Sequence, residues 1–284
     1  MVMPYDVVTP AGYRHWWQTA PETAKLLMLV ADLDGKVVGA GQGSLDTTTS
    51  EEGASSMWVM VHPSQRRHGI GGRLYDALER HLRDNGARRT QGWAVDEQET
   101  VQWCTRRDFE RTHELRFLRL DLTDVAALPP IPPLSDGVTG GYFRRDRPEA
   151  IYIVDAASSL DEPGDVTADA IRYEPWFTSR WQAPDNDHEA STVVIVDGVP
   201  AAFTLVRSDH DGHRIWAAGT GTLREHRGKG LAKIAKSVAL RRAAQKGITA
   251  AYTSNDEVNR PMLAINEWLG YRACATQWSY VKII

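Results

Sequence analysis

The chain has 284 residues, of which 42% are hydrophobic, 25% charged and 8% aromatic, the profile of a folded globular protein and not of a disordered or fibrous one. Lys and Arg number 33 against 37 Asp and Glu, a formal net charge of −4, so the basic excess of a nucleic-acid-binding domain is missing. No long apolar run or basic-then-apolar leader occurs, which predicts no membrane span, no secretory signal and a cytoplasmic location. Cys104 and Cys274 stand far apart without a CxxC or a nearby His, so neither a disulfide framework nor a metal site is expected.

Read in chain order, the pattern is written twice. A helix, PAGYRHWWQTA, precedes the strand LLMLVADL, the turn Asp34-Gly35 and the strand KVVGAG. The strand SMWVMV, 56–61, then runs into an Arg/Gly-rich turn that starts at Arg66. Ile70, Leu74, Ala77 and Leu78 follow at helical spacing, and Gly86 caps that helix. The strand TQGWAV, a helix carrying Cys104 and a final strand after Phe109 close the copy. Residues 123–137, TDVAALPPIPPLSDG, are rich in proline and read as an extended linker. The second copy repeats these landmarks in register. Asp197 lies 163 residues after Asp34, Arg227 lies 161 after Arg66, and Gly247 lies 161 after Gly86. Leu231, Ile234, Ala235 and Val238 mark its buried helix face. The division is therefore 1–122, linker 123–137 and 138–284, each half an α/β (α+β) unit with helices packed on a sheet.

The Arg/Gly turn carries the chemistry. Glycines let the backbone adopt φ > 0 and come close to a ligand, and the first N–H groups of a helix have no intrahelical acceptors. A diphosphate suits such a place. Arg66, Arg67 and His68 flank Gly69, Ile70 and Gly71 in the first copy. Arg224, Arg227 and Lys229 flank Gly228, Gly230, Leu231 and Ala232 in the second. The spacing is neither a Walker loop nor a three-glycine dinucleotide fingerprint, which excludes nucleotide hydrolysis and hydride transfer.

These turns resemble motif A of the GNAT superfamily of acetyl-CoA-dependent N-acetyltransferases, a strand ending in V-x-P followed by x-x-(Q/R)-x-x-G-x-(G/A) and a helix. Val61-His62-Pro63-Ser64-Gln65-Arg66-Arg67-His68-Gly69-Ile70-Gly71 fits throughout; the second copy puts Thr222 for the valine and Arg224 for the proline. The likeness covers nearly the whole chain as two tandem domains, an arrangement also found in mycothiol synthases. The stretch 253–271, TSNDEVNRPMLAINEWLGY, is similar to a segment of such tandem proteins. The resemblance implies two GNAT folds, each a mixed, splayed sheet with helices on both faces, and acetyl-CoA as cosubstrate in the opening. A main-chain N–H at Thr222 or Leu223 is expected to bond the thioester carbonyl, and Asn255 and Asn259 to line the coenzyme channel. As an alternative, both asparagines serve as turn and helix-cap residues.

The sequence departs from the family where many members place a Tyr acid. That position is Asn266 in the second copy and Cys104 in the first; an amide donates a hydrogen bond to sulfur but cannot deliver a proton. Asn266 is otherwise a helix residue bonded to backbone, and Cys104 a small packed residue. In GNAT domains the segment corresponding to residues 148–190 covers the acceptor. It holds Asp161, Glu162, Asp165, Tyr173, Glu174, Trp176, Trp181, Asp185 and Asp187, a set that favours a cationic amine or else divides into core aromatics and solvated acids. His210 and His213 read as loop. The first copy has only 33 residues before its Asp-Gly turn, so it is expected to lack a first strand and a covering helix and to be non-catalytic. The function expected is acetyl transfer to a primary amine of a small molecule. A coenzyme-binding sensor or assembly module and a protein N-acetyltransferase are the alternatives. A monomer with an internal pseudo-dimer, or a weak homodimer, is expected, with no nucleic-acid or membrane partner.

Overall fold

The computed structural model describes residues 3–142 and 147–284. Helix α1 (Pro10–Thr19) opens on a proline at its first turn, and the Thr9 hydroxyl accepts a hydrogen bond from the Gly12 amide at 2.9 Å. Strands β1 (Leu27–Leu33), β2 (Lys36–Leu45) and β3 (Ala54–Val61) follow, then α2 (Ile70–Asp84), β4 (Arg89–Val95), α3 (Gln98–Thr105) and β5 (Glu110–Asp121). The second half holds β6 (Val138–Tyr142), α4 (Pro148–Ser159), α5 (Tyr173–Trp176), β7 (Thr192–Val196) and β8 (Val199–Asp209). It ends with β9 (Arg214–Thr222), α6 (Leu231–Gln245), β10 (Ala250–Asp256), α7 (Arg260–Leu269) and β11 (Arg272–Ile283). Both Asp-Gly turns form as the sequence predicts: φ is +53° and +77° at Asp34 and Gly35, and +49° and +82° at Asp197 and Gly198. Two consecutive positive φ values match the twist of a two-residue hairpin.

The eleven strands of the described residues belong to one mixed sheet, in the order β1-β2-β3-β4-β11-β5-β10-β9-β8-β7-β6. The sequence reading has each copy close on its own last strand, and here the structure differs. The last strand of the second half, β11, pairs antiparallel with β4 of the first, from Gln277↔Val95 to Ile283↔Arg89. The last strand of the first half, β5, pairs with β10, from Ala250↔Asp121 to Asp256↔Leu115, and the two exchanged strands pair with each other. The reason is that a strand edge is an unsatisfied row of N–H and C=O groups. The exchange closes both inner edges at once and leaves only β1 and β6 at the margins.

Side chains follow the exchanged strands. Leu118, Leu120 and Leu122 of β5 pack with Val206, Ile215, Ala239, Leu240 and Leu269 in the core of the second half. Tyr280 of β11 packs with Met57, Tyr75 and Leu82 in the first, and Lys282 donates to Tyr75 Oη at 2.8 Å and Glu79 Oε1 at 2.7 Å on α2. Helices cover both faces of the second half: Val194 and Ala202 meet α6, while their neighbours Val193 and Phe203 meet α4. On α2 the buried face is Leu74, Tyr75, Leu78 and Leu82, with Ile70 and Ala77 at its rim. On α6, Leu231, Ile234 and Ala235 are buried as predicted and Val238 is half-buried. Lys236 and Ser237, which the pattern assigned to no buried face, are buried as well. Within residues 123–137 the first part docks, since Leu128 enters the core and Arg241 donates to Pro129 O at 2.9 Å, while residues 130–137 form no helix or strand and are mostly exposed.

Because β11 completes the first half's sheet, a chain ending at Tyr271 is expected to lose cooperative folding in both halves. Thermal unfolding and amide exchange test this; a protected α2–β4 region in the shortened chain would contradict it.

Candidate functional site

The site starts from two parallel strand pairs that separate. In the first half β3 and β4 pair only from Ala54↔Arg89 to Ser56↔Gln91, and in the second β9 and β10 pair only from Arg214↔Ala250 to Trp216↔Tyr252. Beyond these points Met57–Val61 and Ala217–Thr222 have no strand partner on that side among the described residues. On the other side each remains bonded to its hairpin partner: the His62 amide donates to Val38 O at 2.8 Å, and the Leu223 amide to Ala201 O at 2.9 Å. Amide directions alternate along an antiparallel ladder. Val61 and Thr222 therefore point their N–H groups into the gap. The Leu223 amide, an alternative donor in the sequence reading, is turned away and occupied.

The Arg/Gly turns have the same backbone in both halves. φ is +69° at Arg67 and +77° at Gly69, and +75° at Gly228 and +76° at Gly230. A Cβ at Gly69, Gly228 or Gly230 would meet nothing within 4 Å, so the backbone conformation requires glycine there and the surroundings are open. Neither α2 nor α6 has a side-chain cap, so their first amides, at Ile70 and Gly71 and at Leu231 and Ala232, face outward. The leading arginine of each turn braces the strand end before it: Arg66 Nε donates to Val61 O at 3.5 Å and Arg227 Nε to Thr222 O at 3.1 Å. His68 Nδ1 lies 3.3 Å from Gln65 O, and Lys229 is exposed.

Asp161, expected on the acceptor side, instead reaches the second turn. Its carboxylate accepts from Arg224 Nε at 3.1 Å, from Arg224 Nη2 and from Arg227 Nη2. The hydrogen bonds from Arg224 and Arg227 hold its carboxyl well below the usual carboxylate range. The segment that follows runs to the first half, where the Thr167 amide donates to Glu51 Oε1 at 2.8 Å and the Asp169 amide to Thr48 O at 2.8 Å. Midway, Asp165 accepts from Thr112 Oγ1 at 2.8 Å and from Ser279 Oγ, and lies 3.4 Å from His113 Nε2. His113 Nδ1 is 3.4 Å from Asp256. His113 sits on the exchanged strand β5, so nothing local in the sequence pointed to it.

Asn255 and Asn266 come together. Asn266 is fully buried on α7, and its Nδ2 donates to Asn255 Oδ1 on β10 at 2.6 Å, while its own Oδ1 has no partner. It is thus bonded to a side chain and not to backbone. Asn259 takes the alternative reading: it caps α7, accepting from the Met262 amide at 3.3 Å. Cys104 is packed beside Tyr75 and Phe109, and burial pushes its thiol up to about 11.

On the opposite face α4 and α5 lie over β8 and β9. Trp176 and Trp181 are core residues, and Trp176 Nε1 donates to Asp155 Oδ2 at 2.6 Å, with Arg180 Nη1 at 3.4 Å from the same carboxylate. Sequence reasoning missed Asp155 because it lies inside the apolar run of α4. Glu162 is exposed; desolvation, with the nearby charge of Asp155, raises its carboxyl pKa against the pull of Arg180. Tyr173 Oη donates to Glu149 at 3.1 Å, and Asp187 pairs with Lys246 at 2.7 Å and is structural. Glu174 and Asp185 make no ion pair among the described residues. His213 Nδ1 is 3.2 Å from Gly247 O and His210 is 3.9 Å from Asp187, so these two form no common site.

The family model for the acetyltransferase (GNAT) family matches residues 3–109 and 156–271. A mycothiol acetyltransferase of Actinosynnema mirum is 28% identical over 273 residues, 94% of this chain and 87% of that protein. One of Thermomonospora curvata is 29% identical over 252 residues, 85% of this chain and 78% of that protein. A tandem GNAT protein from the clavulanic acid biosynthesis pathway superposes with a TM-score of 0.74 at 19% identity, covering 99% of this chain and 91% of that one. A GCN5-related N-acetyltransferase of Sphaerobacter thermophilus gives 0.72 at 16% identity, with 94% and 83% covered. No helix of the described residues is long and apolar enough to cross a membrane.

The cover over the gap depends on a close approach: a Cβ at Gly221 would lie 2.0 Å from Ser158 Oγ and 2.8 Å from Phe203 Cε1. Gly221→Ala is expected to push α4 off β9 and to cost about 1–3 kcal/mol in chemical unfolding. Gly219→Ala, whose Cβ would lie at ordinary contact distance, 3.5 Å, from Phe203, serves as the near-neutral control.

Proposed function

Because this chain belongs to the acetyltransferase (GNAT) family, we propose that it transfers acetyl from acetyl-CoA to a primary amine of a small molecule, by direct attack in a ternary complex. We place the reaction in residues 138–284, with 123–137 as the connecting segment and residues 1–122 as a non-catalytic partner that supplies β5. The observation that carries this reading is the convergence on one opened strand pair of a gap-facing Thr222 amide, an open Gly228–Gly230 turn and the buried Asn255–Asn266 pair.

Each part has a task in that chemistry. The outward amides of Leu231 and Ala232, with Lys229, Arg224 and Arg227, receive the diphosphate, which takes the place of the Asp161 carboxylate. The Thr222 amide donates to the thioester oxygen as negative charge develops on it, an effect on the order of 3 kcal/mol for one such donor. The Asn266 amide group, with its free Oδ1, meets the polar pantetheine arm. Glu162 takes a proton from the acceptor amine. Because its carboxyl pKa is raised, the reaction slows as pH falls through that raised value. The first half keeps the same turn, but Arg67 stands where the second has Gly228 and a packed Cys104 stands where the second has Asn266.

Since both curated relatives are named for mycothiol, a thiol conjugate belongs in the acceptor panel beside amino sugars and aminoglycoside-like amines. A second reading, coenzyme binding without turnover, is favoured by the lack of a Tyr acid at 104 and 266.

Calorimetry and a thiol-release assay decide between them. Gly228→Asp with Gly230→Asp is expected to abolish acetyl-CoA binding and turnover, while Gly69→Asp with Gly71→Asp leaves turnover intact; the reverse outcome exchanges the roles of the halves. Glu162→Gln is expected to lower turnover about 100-fold and to remove the acidic limb of the pH profile, because a base with a raised pKa gains activity as pH rises through that value.

A further inference from the structure

Lys236 is only 2% exposed and sits in the first half of α6, the helix opened by the Gly228–Gly230 turn. Its side chain lines a void of about 10 Å³ with Thr204, Ala217 and Tyr271, among the apolar residues Val206, Ile215, Ala239 and Leu240. Ala217 is the first residue of β9 beyond its pairing with β10, so this pocket lies at the root of the gap. Thr253 Oγ1, donating to Ala217 O at 3.4 Å, is the last tie across it. The Lys236 Nζ lies 5.6 Å from the Tyr271 ring centroid.

Among the described residues nothing of opposite charge faces this amine. From β8 and β9 come Thr204 and apolar groups, from α6 itself Ala239 and Leu240, and from the end of α7 the phenol of Tyr271, whose pKa burial raises. Lys233, on the same helix, lies over Trp268 at 4.8 Å. Burial alone brings the Lys236 ammonium down to about 8. Among the described residues three buried polar atoms of these elements lack partners: Ser237 Oγ on α6, Asn266 Oδ1 on α7 and Tyr271 Oη between α7 and β11. A buried cation without a counter-charge is costly in the free chain and is stabilised when a negative charge forms beside it.

We propose that Lys236 donates the proton taken up by the sulfur that departs during acetyl transfer, the task for which α7 offers only Asn266. The inference rests on the acyl-transfer reading above. The acceptor nitrogen forms its bond to the acetyl carbon, and the carbon–sulfur bond breaks with its electron pair going to sulfur. A proton passes from Nζ to that sulfur, leaving a thiol and a neutral amine. The proton shed by the acceptor nitrogen, relayed through solvent, restores the ammonium.

The test uses coenzyme A itself and the full chain, with Lys236→Met and, should that variant not fold, Lys236→Gln. In the wild type the ultraviolet absorbance of bound thiolate is expected to appear at lower pH than for free coenzyme A. In the variant it is expected to return to the free value or above it. Acetyl-CoA affinity stays within about threefold, while kcat falls about 100-fold at unchanged KM and the decline of wild-type activity above pH about 8 disappears. The variant also melts higher than wild type at neutral pH. The lowered pKa means the unfolded chain binds the proton more tightly, so this advantage shrinks as pH rises from about 8 towards the usual lysine value. An identical thiolate titration in wild type and variant overturns the inference, as does loss of acetyl-CoA binding on removing the amine. If the wild type binds no coenzyme, or the Gly228→Asp/Gly230→Asp chain binds it equally well, the acyl-transfer reading falls, and this inference with it.

Discussion

The pairing of β5 with β11 is the contact on which the rest of the molecule depends. Each is the last strand of one half, and each completes the sheet of the other. The consequence is a single eleven-stranded sheet in which neither half owns its own core: β5 leucines lie in the second half, and Tyr280 and Lys282 of β11 lie in the first. An exchange of this kind couples the stability of the two repeats, because backbone hydrogen bonds lost at one exchanged strand leave buried edges in both.

That rigid centre lets the strands on either side of it separate. A parallel pair held for three residues and then released leaves a row of amides without strand partners, normally a cost when shielded from water. Here it becomes a set of oriented donors at Val61 and Thr222. The glycine turns extend the donor row into the helix termini, so each opening is electrostatically suited to an extended anionic ligand. In the second half the free chain already satisfies part of that demand with Asp161, which holds both guanidinium groups. The same half carries the lone buried cation at the root of its gap among the described residues of α6, Lys236. The polar complement of the opening is therefore divided between a surface turn that is paired in the free chain and an interior amine that is not.

Much of this was legible in the sequence, because short-range rules govern it. The Asp-Gly hairpins, the glycine-terminated helices and the Arg/Gly turns depend on φ preferences and spacing within about ten residues, and all of them form where expected. Two tandem repeats follow from their recurrence, and the GNAT fold of each from the likeness of the turns to motif A. What local pattern cannot specify is which partner a strand finds, since β5 and β11 would alternate in the same way against either half. Helical periodicity placed Leu231, Ile234 and Ala235 on the buried face of α6. It could not place Lys236, about 100° further round, because its burial depends on Thr204, Ala217 and Tyr271 brought in by other elements. The same limit explains Asn259 as a cap, the occupied Leu223 amide, and Asp161 on the second Arg/Gly turn. The sequence by itself determined the repeats, their hairpins and the composition of the Arg/Gly turns. Tertiary structure decided the strand exchange and the environments of Lys236, His113 and Asn266, because each is set by residues more than a hundred positions away or on a different element.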